Sequence, residues 1–115
     1  MIALLLQAGV TLGPAAAQGS ISEPGRQGMF VMLYSKANYF RMLVTTRGCR
    51  DMDQARFDLF NRRFDDARAR LVDTYGDRFF PAALPADMSS RQAPCDPATL
   101  GSYGNHIAEL EQALN

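Results

Sequence analysis

The chain has no tryptophan, one histidine, one lysine and two cysteines among 115 residues, and its acidic and basic side chains balance at 12 each. Each shortage excludes something. Balanced charge gives no long-range field to recruit nucleic acid or an anionic membrane surface, so neither is expected as a partner. Two thiols and one imidazole fall short of a structural zinc site, and the absence of a CxxC spacing removes dithiol redox and haem-attachment motifs. No apolar run approaches the roughly 20 residues of a membrane span, so none is expected in the mature chain. The serines have no GxSxG setting, and the glycine-bearing segments match neither Walker nor dinucleotide fingerprints. Asp65 and Asp66 are adjacent and would splay apart on a helix rather than converge. No catalytic residue, no metal and no cofactor is expected, and the chain does not read as an enzyme.

The amino terminus reads as an address. Ile2 and Leu12 bound an apolar run of signal-core length, Gly13 and Pro14 break it, and Ala15, Ala16 and Ala17 supply small residues for cleavage before Gln18. No Lys or Arg precedes the run, and a buried amino-terminal helix is the other reading. Residues 1–17 are expected to be a signal peptide, residues 18–28 a flexible leader rich in Gly and Ser, and residues 29–115 one helical domain. Export to the periplasm or the exterior of a bacterial cell makes Cys49 and Cys95, an even pair, most simply a disulfide.

Three amphipathic patterns follow. Across residues 29–46, Ser35, Asn38, Arg41 and Thr45 trace a polar stripe. Phe30, Leu33, Ala37, Phe40 and Val44 face the other way, widened by Met32, Tyr39 and Leu43, with Gly48 as the stop. A short strand over residues 30–34 is the competing assignment. Residues 51–75 carry Phe57, Phe60, Phe64, Ala67, Leu71 and Tyr75 on one face, with Asp51 as cap, Gln54 completing a capping box and Gly76 ending the helix. In the last pattern Asp96 caps, Pro97 opens the first turn, and Leu100, Tyr103, Ile107, Leu110 and Leu114 form the seam. Gly101 and Gly104 weaken that helix and leave room for a close neighbour.

Between the last two helices, Pro81, Pro85 and Pro94 interrupt an apolar stretch that includes Phe79 and Phe80. A short helical turn fits residues 86–92. The disulfide decides the layout: the second helix carries the chain about 37 Å from Cys49, and Cys95 must return. The connector can reach about 60 Å when extended. The expected fold is therefore all-α, a small three-helix bundle with a Pro-rich return arm and one disulfide, the third helix parallel to the second and the first antiparallel to both.

Candidate sites are few. Arg56, Arg63 and Arg70 recur every seven residues and could grip an acidic partner, although Asp53, Asp66 and Asp73 lie three residues from them and could neutralise them. His106 with Glu109 and Glu111 is the one combination able to hold a ligand or metal, and His106 with Met42 the one pair able to hold haem. Set against these, such a histidine is commonly a boundary residue and bundle methionines are core filler. The expected role is contact with a protein partner or accessory service in the envelope, through those arginines and aromatic positions such as Tyr39 or Phe79. The alternative is a ligand-, metal- or haem-carrying bundle centred on His106.

Overall fold

A computed structural model describes residues 22–82 and 94–115. They form α1 (Glu23–Thr46), a short α2 (Cys49–Met52), α3 (Gln54–Tyr75), one 3-10 turn (Asp77–Phe79) and α4 (Pro97–Leu114), with no strand among the described residues. The expected signal segment and the expected turn at 86–92 lie outside the described residues.

α1 begins inside the stretch expected to be a flexible leader. Ser22 Oγ accepts the Gly25 N–H at 3.2 Å, and Pro24 stands in the first turn where its missing N–H costs nothing. Capping plus buried Phe30 two turns later outweighs the glycines, each worth up to about 1 kcal/mol against the helix. Glu23 is held further by the Tyr75 hydroxyl, which donates to it at 2.7 Å. The seam is Phe30, Leu33, Tyr34, Ala37 and Val44, and no strand forms over residues 30–34. Met32 and Tyr39, expected to widen the core face, point outward instead; Tyr34 takes the inner position. Arg41, expected in the solvent stripe, turns inward until 14% of its side chain is exposed, its guanidinium 4.6 Å from the Phe64 ring centroid. Its long apolar stem and the ring face offset that burial, which leaves Arg41 Nε without a hydrogen-bond partner.

The second long helix starts two residues past the expected cap. Asp53, not Asp51, is the capping residue, its Oδ1 accepting the Arg56 N–H at 3.1 Å. Apolar anchoring begins only at Phe57, so nothing holds the helix to Asp51; the chain turns a corner that buries Cys49. Gly48, left-handed at φ 72°, and Gly76, extended at a positive φ of 90°, take conformations open to glycine that stop α1 and α3.

The disulfide joins Cys49 to Cys95 with Cα atoms 5.0 Å apart. α4 therefore starts beside the start of α3 and runs parallel to it: Tyr103 donates to Asn61 at 2.6 Å, Arg63 pairs with Glu111, and Arg70 reaches the Leu114 carbonyl at 2.9 Å. α1 is antiparallel to both, as Arg47 to Thr99, Phe40 to His106 and Phe30 to Tyr75 place its ends. Gly104 lies against the Phe60 ring, so the close neighbour allowed by this glycine is a side chain.

The return arm packs as far as it is described. Phe80 is fully buried between Tyr34 and Tyr75, with ring centroids 5.4 and 6.3 Å away. The carbonyls of Phe80, Pro81 and Ala82 accept from Arg68 Nε at 2.7 Å, from the Tyr34 hydroxyl and from Arg41 Nη2 at 2.6 Å, respectively. An irregular segment can lie in the groove between α1 and α3 because side chains supply the donors that helix or sheet would have supplied.

Candidate functional site

The arginine line of α3 lies along its seam with α4. Arg63 makes a two-pronged contact to Glu111, with Nε to Oε2 at 3.0 Å, and this carboxylate raises the Arg63 pKa. Arg70 is bonded to Leu114 O, while Arg56 stands 4.0 Å from Asp53 and 5.4 Å from the Phe60 ring centroid. Of the neighbours expected to neutralise the line, Asp53 does so; Glu111 was not foreseen, because it comes from a different helix.

The ligand combination divides across α4. His106 Nδ1 lies 3.4 Å from Glu109 Oε1, but Glu111 faces Arg63, so the three do not converge. Among the described residues no group of three metal-ligating side chains comes together. The His106 ring is stacked on Phe40, centroids 4.8 Å apart and planes inclined by 23°.

What the fold does assemble is an aromatic row across the seam of α1 and α4. Tyr39 meets Phe40 edge-on at 5.4 Å, Phe40 carries His106, and His106 leads to Glu109, which also accepts from Lys36 Nζ at 3.4 Å. Hydrogen bonding to His106, followed by Lys36, holds the Glu109 carboxyl below its ordinary value. Tyr39 is 53% exposed, and Met32, two turns earlier on the same face, is 55% exposed. Lys36 is the charge between them, and its ion pair with Glu109 closes it. Phe79, the other aromatic singled out by sequence, is half-buried with the Arg78 guanidinium 4.7 Å from its ring centroid. The row joins Tyr39, which the sequence suggested as a partner contact, to His106 and Glu109, which it suggested together as part of a ligand combination; Lys36 and Phe40 were missed as members because their relation to α4 is tertiary.

No family model matches the chain, and no curated protein or solved structure does so significantly. Among the described residues no helix is long and apolar enough to cross a membrane.

Proposed function

We propose that the chain is an exported helical interaction module, an accessory of a bacterial envelope, that meets a protein partner through the row formed by Met32, Tyr39, Phe40 and His106. The observation that carries this reading is the exposure of Met32 and Tyr39 beside a closed Lys36–Glu109 pair. A rigid aromatic ring and an adaptable thioether left in water beside neutralised charge can be desolvated by a partner at low cost, and aromatic anchors usually dominate binding energy. Arg56, Arg63 and Arg70 would serve at the margin, since each already holds an internal partner. Pairing of the two cysteines supports an oxidising compartment.

A photo-reactive phenylalanine at position 39 tests the surface, with position 62, exposed on the outer side of α3, as control. In cells that make the protein, position 39 should yield a discrete adduct that Met32→Asp abolishes. Equal yields at both positions would remove the row as the contact. Mass spectrometry of the exported chain should show Gln18 as the first residue, and an intact Met1 overturns the export reading.

A further inference from the structure

Between Gln27 and Thr46, Lys36 and Arg41 are the only charged residues of α1, and neither presents an unpaired charge outward: Arg41 is turned onto the Phe64 ring, and Lys36 is paired with Glu109 at 3.4 Å. A helix with so little free charge around its circumference is the pattern of one covered on both sides, yet the bundle covers only the side that carries Phe30, Leu33, Ala37 and Val44. On the other side Gly28, Met32, Ser35, Tyr39 and Met42 recur at alternate intervals of four and three, the seam of a helix pair. Beside Gly28 lies a shallow depression, open to solvent and lined also by Pro24, Gln27, Val31 and Phe79. Tyr39 follows Gly28 by about three full turns, roughly 16 Å, so knob and seat lie on one side of one helix. We propose that the partner of the row is a second copy of this chain, the two α1 helices packing antiparallel so that each Tyr39 enters the depression at the other's Gly28.

This rests on the row as the docking surface and adds what occupies it. A two-fold axis requires a surface to fit itself, residue i meeting j while j meets i. Antiparallel α1 helices satisfy that requirement: the register that seats Tyr39 at the partner's Gly28 also sets Met32 against the partner's Ser35, a large residue against a small one each time. Parallel helices would bring Tyr39 to Tyr39 and leave the depression empty. Within one copy the seat is vacant, since a Cβ at Gly28 would meet nothing within 4 Å, and Pro24, Val31 and Phe79 give it the apolar walls that suit a phenol ring. Charge agrees as well. The axis reverses the Lys36–Glu109 pair of one copy relative to that of the other, so these ions, on the α4 side of the seam, approach with opposite signs facing. A strongly charged foreign partner finds no counterpart on this strip.

Sedimentation equilibrium of the full, oxidised chain over about a hundredfold range of concentration measures the pairing, which mass action makes concentration-dependent. The parent should pass from monomer to dimer. Gly28→Leu fills the seat where its own chain leaves open space, and Tyr39→Ser removes the knob; each should weaken dimerisation at least tenfold, and a melting curve as high as that of the dilute parent shows that the fold is intact. With photo-reactive phenylalanine at position 39, the adduct formed in cells should weigh twice the chain and join position 39 to residues 27–36 or to Phe79 of the other copy. A parent monomeric throughout, undiminished dimerisation of Gly28→Leu, or a doubled adduct joined elsewhere would each overturn the proposal. A monomeric parent whose position 39 still yields an adduct of another mass would keep the row as a protein contact and remove the second copy as its partner; no dimer and no adduct would remove both.

Discussion

Replacing the two glycines of α4 by alanine, one at a time, asks whether α3 and α4 approach as closely as described. Both positions are interior to the helix, so each substitution carries the same intrinsic gain, up to about 1 kcal/mol. The surroundings differ. A Cβ at Gly101 would meet only Arg56 Nη2, at 4.0 Å, an ordinary contact with a mobile guanidinium. At Gly104 it would fall 2.6, 2.9 and 3.1 Å from Cζ, Cε2 and Cε1 of Phe60, and the ring must move. Little room is free for that movement, because Tyr103 meets the ring edge-on at 6.0 Å and Arg63 lies 5.8 Å from its centroid. Overpacking of this kind costs about 1–3 kcal/mol. Gly101→Ala should therefore stabilise, whereas Gly104→Ala should be neutral to about 2 kcal/mol destabilising. For a domain of this size a difference of 1 kcal/mol separates melting temperatures by roughly 4–8 °C. Thermal and urea unfolding of the oxidised protein, followed by helical circular dichroism, measure it. Pairing Gly104→Ala with Phe60→Leu, which draws back the clashing atoms, should recover much of the loss. Equal stabilisation by the two single alanine variants would refute the close approach of Phe60 to α4.

Three further outcomes follow from the packing. Phe80→Ala, which empties a fully buried position and loosens the arm, should cost about 3–5 kcal/mol by urea unfolding, and a loss below 1 kcal/mol would show that the arm does not pack there. Reduction of the disulfide, whose cysteines are 46 residues apart, should lower stability by about 4 kcal/mol in the chain-entropy picture, read as a drop in the urea midpoint; an unchanged midpoint refutes the constraint. Asp96 should confer acid sensitivity. The Thr99 N–H bonds its carboxylate and depresses its pKa below 3.8, so the stability it lends is present above that value and is lost as pH falls through the lower folded value. Asp96→Asn, which keeps the cap, should melt with a shallower dependence on acid pH than the parent; identical slopes would remove Asp96 as a contributor.

The helices could be read from sequence because their cues are local. Asp96 followed by Pro97, the positive-φ stops at Gly48 and Gly76, and the phenylalanines of α3 at helical spacing all act within a few residues. The order and direction of the helices needed one nonlocal fact, and the even cysteine pair supplied it. What could not be read were decisions made by competition between local options. Ser22 and Pro24 form a start signal as good as any further on, yet the glycines around them resemble those of a linker. Asp51 and Asp53 are both competent caps, and the burial of Cys49 selects the second.

Arg41 shows why surface chemistry was the harder part. By spacing it belongs with Ser35, Asn38 and Thr45, and periodicity places it in water. Its position is set by two things absent from the periodicity: the Phe64 face, over which its guanidinium lies, and the Ala82 carbonyl, which needs a donor once the arm occupies the groove. Arg68 and Tyr34 are drawn inward by the same demand. A segment without helix or sheet partners must take its donors from its neighbours, and on this bundle the long polar side chains of α1 and α3 supply them. The same reasoning turns the α3 arginine line toward α4, where Glu111 and the Leu114 carbonyl accept. With so many arginines engaged within the fold, the apolar side chains left in water on α1 become the better guide to where a partner docks.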